Sequence, residues 1–339
     1  MKMKKDIYGV ALIGCGAMGA AHLENIYCKD NVSIKYVCDT DIERAKEFSK
    51  KFSAQNITTD ADEVIASEDV DIVIIATPPS SHLDLLTKSI ENKKHVICEK
   101  PISDNIEDSK KAISYIKAHP QCKVLIGYIL RHNKTYQKVA KMIQDGAIGT
   151  PIVMRMAQNH HTMNWQKYLN LICETSPIVD CGVHYVDVMR WFTGEEVVCI
   201  NGIGSKTEAD VPNGKYNYGL ISAKLSGGSV AYYEAGWSNT ISADNLKEFF
   251  GPKGKIRIVQ REARQNHQEE GDLIEYYKYP EKTYEMINID CKRKPTDAQL
   301  DALIDMIEND AVPCQSMDDV LKSTEIVFKA DEIIKQTLS

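Results

Sequence analysis

The sequence predicts two α/β domains: a doubly wound parallel sheet at the N-terminus, then a second α/β domain with an open, mostly antiparallel sheet. Three observations carry that prediction. Apolar runs alternate with amphipathic helical stretches over residues 1–127, the pattern of a parallel sheet covered by helices on both faces. From Val197 to about Tyr279 the chain holds strand-like runs separated by glycine turns such as LSGGSVAYYEAGW, which suits antiparallel neighbours. Finally, 339 residues suffice for two separate cores. The expected boundaries are 1–127 for the first domain and 128–315 for the second, with a last helix over 316–337 packing back on the first.

In the first domain, strands are expected at Ile7–Ile13, Ile34–Cys38, Ile72–Ala76, His95–Cys98 and Val124–Ile126. Helices are expected between them at Ala17–Tyr27, Asp41–Lys51, Ser80–Asn92 and Asp104–Ala118, the last opened by a capping box of Asp104 and Glu107. Beyond Gly127 a helix at Lys134–Asp145 leads through GAIGTP into a strand at Ile152–Met156, then a polar loop, QNHHTMNWQKY. A helix follows at PIVDCGVHYVDVMRWFTG, and two more close the chain at Asp297–Glu308 and Met317–Gln336.

Composition excludes several function classes. A formal charge of −7 argues against nucleic acid or an anionic membrane as partner. No stretch approaches the roughly 20 apolar residues of a membrane span, and MKMKKDIYGVALIG reads as a strand after a charged tail rather than a signal peptide. Ten cysteines include no CxxC, and Cys15, Cys38, Cys98 and Cys122 lie in or beside apolar runs. They read as reduced core thiols in a cytoplasmic protein. His160 and His161 are adjacent, so even in a strand they would point to opposite faces, and no metal site is expected from them.

GVALIGCGAMGAAHLENI sets Gly14, Gly16 and Gly19 in a G-x-G-x-x-G pattern between strand and helix. The first glycine permits the turn, the second lets the backbone approach a pyrophosphate, and the third allows close helix–strand packing. Ala17 and Met18 complete the loop, whose helix N-terminus offers N–H groups to phosphates. Asp39, 20 residues past Gly19 at the next strand's end, is placed to accept the ribose hydroxyls and to repel a 2′-phosphate. This predicts a Rossmann dinucleotide domain that favours NAD over NADP. Thr77, Pro78, Pro79 and His82, in TPPSSH, lie at the carboxyl edge of the same sheet, as do Glu99 and Lys100 in EKP.

Asp180, His184 and Asp187 recur along one face of an otherwise apolar helix. Ser176 and Pro177 read as its N-cap and first residue, and Gly194 as its C-terminal stop. Burial of such a polar stripe is costly unless its members are paired or used.

Together GCGAMG, TPPSSH, EKP, GAIGTP, DCGVHYVD and the GPKGKI turn resemble the Gfo/Idh/MocA oxidoreductases, the family of glucose–fructose oxidoreductase and inositol dehydrogenase. They run in family order across nearly the whole chain. The resemblance implies oxidation of a secondary alcohol on a cyclic polyol, sugar or glycoside, or the reverse reduction. It implies catalytic roles for Lys100, Asp180 and His184, and a homo-oligomer, dimer or tetramer, formed through the open sheet. His184 suits a general base, since its ordinary pKa lies near working pH. Lys100 suits the reacting oxygen, and Asp180 an orienting role. Arg131, His160, Asn164, Trp165 and Tyr168 are candidate substrate contacts. Alternatives on the same fold are transient use of tightly held NAD, in oxidation, elimination or hydrolysis and re-reduction, and a non-enzymatic dinucleotide-dependent regulator. The chain leaves the family pattern in ETSPIVD, just before Asp180, and in ILRHN, where Asn133 replaces a common proline.

Overall fold

The computed structural model describes residues 5–260 and 271–338. The first residues of the charged tail and part of the expected Val197–Tyr279 strand region lie outside them. The described residues form two compact units, one of residues 5–132 and 294–321, the other of 133–260, 271–293 and 322–338.

The first unit is built on a six-stranded parallel sheet: β1 (Tyr8–Ile13), β2 (Val32–Cys38), β3 (Asn56–Thr58), β4 (Ile72–Ile75), β5 (His95–Cys98) and β6 (Val124–Ile126). Their spatial order is β3-β2-β1-β4-β5-β6. Order reverses between β1 and β4, and ligands of open α/β sheets bind at the carboxyl ends beside such a reversal. Helices α1 (Ala17–Ile26), α2 (Ile42–Phe52), α3 (Ala61–Ala66), α4 (His82–Glu91) and α5 (Ile106–Ala118) connect the strands. The short pieces β3 and α3 escaped the sequence reading, since three and six residues carry too little periodicity to register. Asn105 rather than Asp104 caps α5, accepting from the Asp108 N–H at 2.9 Å. The four expected core thiols, Cys15, Cys38, Cys98 and Cys122, are buried, and burial pushes Cys15 and Cys38 up to about 12.

In the second unit α6 (Lys134–Gln144), β7 (Val153–His161), α7 (Trp165–Glu174) and α8 (Pro177–Thr193) precede the remaining strands. These are β8 (Val197–Ser205), β9 (Tyr218–Leu225), β10 (Val230–Ser238), β11 (Lys247–Gly251), β12 (Gly254–Val259), β13 (Asp272–Lys278) and β14 (Thr283–Ile289). The sheet order is β14-β13-β12-β11-β7-β10-β9-β8. Every neighbour is antiparallel except β7 with β10, paired in parallel register from Val153↔Val230 to Ser238↔His161. The polar stretch after Met156, expected as a loop, instead extends β7 to His161 and then forms α7. Backbone pairing along β10 overrides the low strand propensity of QNHH.

Two helices close the chain, α9 (Thr296–Asn309) and α10 (Met317–Gln336). It is α9 that joins the first core, through Leu300, Leu303, Ile304, Met306 and Ile307 beside Val10, Leu12 and Leu23. The last helix, expected there from its amphipathic pattern, lies elsewhere. Residues from 322 onward cluster with the second unit instead. Gly202 and Gly204 on β8 leave room for Ile334, which a Cβ at either position would meet at 2.6 and 2.5 Å.

Candidate active site

In the first unit the predicted cofactor residues lie at the carboxyl ends of β1, β2, β4 and β5. Gly14 has φ +102, and a Cβ there would lie 2.5 Å from the Ala76 carbonyl oxygen. A Cβ on Gly19 would lie 2.1 Å from the Gly14 oxygen. Both positions therefore require glycine, one for conformation and both for close approach. Gly16 differs, since nothing lies within 4 Å of its would-be Cβ. It caps α1 without any side-chain bond, so the helix N-terminus stands open beside exposed Gly16 and Ala17 and half-buried Met18. An open, uncapped helix N-terminus over a glycine turn fits a pyrophosphate, and the residues present suit a dinucleotide.

Asp39 is buried, and its carboxylate braces the loop. It accepts from the Cys15 N–H at 2.8 Å and the Asp41 N–H at 2.9 Å. Arg44 lies 3.9 Å away and is mostly exposed.

The TPPSSH and EKP loops are tied together from beneath. The buried His82 ring sets Nε2 at 2.9 Å from the Thr77 carbonyl and Nδ1 at 3.0 Å from the Pro101 carbonyl. A neutral imidazole can donate to only one of them. Burial lowers its pKa, while the two carbonyls and Glu99 pull the other way. His82 thus joins the two loops. Thr77 shares a 2.7 Å hydroxyl bond with Ser81, Pro78 is exposed and Pro79 half-buried. Glu99 is buried and pairs with His22 Nε2 at 2.7 Å, while Lys100 beside it is half-buried. His22 was missed, although a lone imidazole three residues past Gly19 on the packed face of α1 is a readable signal. Arg131, expected at the substrate, is buried and donates to the Cys314 carbonyl at 3.2 Å.

In the second unit α8 begins and ends where the sequence places it. Ser176 accepts from the Val179 N–H at 3.1 Å, Pro177 is the first residue, and Gly194 closes the helix at φ +68. Every residue from Pro177 to Arg190 is buried except Asp180 and His184, which keep partial access to solvent. Asp187, on the same stripe, is buried. The Ser176 hydroxyl also meets Tyr216 Oη at 2.9 Å, and Tyr216 in turn donates to buried Asp331 on α10.

Of the candidate substrate residues, His160 and Tyr168 come together, the phenol 3.1 Å from His160 Nδ1. Tyr168 packs its ring 5.6 Å from that of buried Trp237. Burial raises its phenol pKa, and Asp180 is close enough to raise it further, so Asp180 and Tyr168 share one neighbourhood. The other two residues have local duties. Asn164 caps α7 through the Lys167 N–H at 3.2 Å. Trp165 donates its indole N–H to Asp210 at 2.7 Å. Among the described residues no group of acids, histidines and cysteines could hold a metal, and no helix is long and apolar enough to cross a membrane.

Comparison with known proteins identifies the family and the fold. Residues 8–128 match the profile described as oxidoreductase family, NAD-binding Rossmann fold, and residues 136–257 match the GFO/IDH/MocA C-terminal domain. The chain is 25% identical to the myo-inositol 2-dehydrogenase of Thermotoga maritima over 73% of this chain and 74% of that protein. It is 24% identical to the inositol 2-dehydrogenase of Rubrobacter xylanophilus, over 76% and 73%. A solved scyllo-inositol dehydrogenase from Lactobacillus casei, with NAD(H) and scyllo-inositol bound, shares the fold with a TM-score of 0.78. The identity there is 23%, over 97% of each chain.

Proposed function

The chain belongs to the Gfo/Idh/MocA oxidoreductases, an NAD-binding family, and from that premise we propose that it interconverts a secondary alcohol and a ketone on a cyclic polyol of the inositol class. One observation carries the reading. Along fourteen helical positions that are otherwise buried, Asp180 and His184 alone reach solvent. The inositol dehydrogenases among its relatives narrow the substrate class.

NAD, when bound, supplies the hydride acceptor. As the hydride leaves the carbinol carbon, His184 takes the hydroxyl proton, and in the reducing direction it returns it. Lys100 donates to the reacting oxygen and stabilises developing alkoxide charge. Asp180 orients the imidazole or holds a neighbouring hydroxyl, and Tyr168 with His160 offers further polar groups on the same side of the second unit. Tyr168 keeps its proton throughout the working range because its pKa is raised. In the first unit, Gly16, Ala17 and Met18 receive the pyrophosphate and Asp39 the ribose hydroxyls. A cytoplasmic setting, and association of two or four copies through the outer sheet face where Phe250, Tyr284 and Met286 are exposed, complete the proposal.

The test is a panel of inositols, free sugars and glycosides read by NADH absorbance, with NADP as comparison. Turnover is expected with at least one inositol and with NAD preferred. Substitution of Lys100 or His184 by alanine is expected to abolish turnover and leave NAD binding intact. Normal rates in both variants on the best substrate would sink the assignment. Light scattering in solution checks the oligomer, and a monomer would remove that part.

A further inference from the structure

We infer that Lys247 is a positioning residue of the second unit, an ammonium clamp that fixes strand β7 against helix α8; the inference rests on the reading of Asp180 and His184 as the reacting face. Lys247 opens β11 and has no exposed surface. Strand alternation turns it inward beside Phe249, in a position that would ordinarily take an apolar side chain. Its Nζ donates to the carbonyl of Ala157 on β7 and lies 4.6 Å from the centre of the Tyr185 ring on α8.

Both contacts fall next to the residues proposed to meet the polyol. Ala157 lies three residues before His160 on the same strand, and Tyr185 directly follows His184. Tyr185 is stacked on Tyr233 of β10 with ring centres 4.5 Å apart, so the clamp reaches a third element. The titratable and charged groups around the ammonium are Tyr185 and Cys181 from α8, and Asp244 from the segment before β11. Tyr185 itself is buried and senses Tyr136, Cys181 and Arg293. Cys181 bonds weakly to the Asp180 carboxylate, at 3.6 Å.

Among the described residues no carboxylate forms an ion pair with Lys247. A buried cation held only by a carbonyl and an aromatic face destabilises a fold relative to an apolar residue of similar length. Burial accordingly lowers its pKa to about 7, with Asp244 and Cys181 opposing. A merely space-filling residue at this position would be better as methionine. The ammonium does what methionine cannot: it fixes one backbone carbonyl and one ring face at the same time.

The experiment compares Lys247→Met and Lys247→Gln with the parent and with His184→Ala. Lys247→Met is expected to melt a few degrees higher while turnover falls about tenfold to a hundredfold and NAD affinity is unchanged. Lys247→Gln, whose amide still donates to the Ala157 carbonyl, is expected to recover part of the rate. Below about pH 7 the parent carries the buried charge in the folded state. Above it the folded chain sheds the proton before the unfolded chain does, so the melting gap to Lys247→Met should narrow as pH rises. Parent-like turnover in Lys247→Met beside an inactive His184→Ala overturns the clamp alone. A lower melting point with a proportionate loss of rate reduces Lys247 to structure and also overturns it. Full turnover in His184→Ala overturns the reading of α8, and the clamp with it.

Discussion

The two units treat their polar groups in opposite ways. In the first, the functional loops are braced from below: Asp39 holds the Cys15 N–H, His82 sits between two loop carbonyls, and Glu99 pairs with His22 in the interior. In the second, α8 buries nearly everything and leaves Asp180 and His184 half open. A cradle for a cofactor of fixed shape gains from rigid backbone, because each N–H must already aim at its phosphate. A side chain that passes a proton must stay near neutral pKa and meet its substrate, which deep burial would prevent.

Substitutions can test that contrast in decreasing order of effect. His184→Ala should cost about 10²–10⁴-fold in turnover, roughly 3–5.5 kcal/mol, with an unchanged melting curve; a large loss of stability would place His184 in the core instead. His22→Ala should do the reverse, destabilising by about 3–5 kcal/mol because Glu99 is left buried without its imidazole. Denaturant titration measures it, and a change below about 1 kcal/mol would deny the brace. Gly14→Ala is expected to lose more than about 2 kcal/mol through strain at positive φ and a clash with the Ala76 carbonyl. Gly16→Ala, with open space around it, should fold normally and weaken only NAD binding, read by calorimetry.

A smaller effect follows from pH. His132 is buried in the first unit, and its pKa is pushed down to about 4 by that burial and then by Arg131. Its unfolded value lies near 6.5, so between those values the unfolded chain binds the extra proton. Stability should therefore drop by about 2 kcal/mol as pH falls from roughly 6.5 to 4, and His132→Asn should flatten that part of the curve. Smallest of all, Lys46→Ala removes an exposed pair with Glu43 and should change stability by less than about 0.5 kcal/mol.

Periodicity and local chemistry made much of this legible. The glycine spacing located the dinucleotide loop, and Ser176, Pro177 and Gly194 marked both ends of α8. The parallel first sheet and mostly antiparallel second sheet also followed from element order. What escaped was long-range. No local signal shows that His22 meets Glu99, 77 residues away, or that the cap Ser176 belongs with Tyr216. Nor does residue type show that Asn164, a candidate sugar contact, also caps a helix, or that Trp165 bonds Asp210. The last helix offered an amphipathic face, but the sequence does not say which sheet carries the glycines that receive Ile334.

The chain of hydroxyls from Ser176 through Tyr216 to Asp331 has a practical consequence. Tyr216 has one proton to give, and its donation to Asp331 leaves its oxygen free to accept from Ser176, so the direction of both bonds is set by a carboxylate on α10. A change made in α10, such as Asp331→Ala, would therefore reach the start of the helix that carries Asp180 and His184.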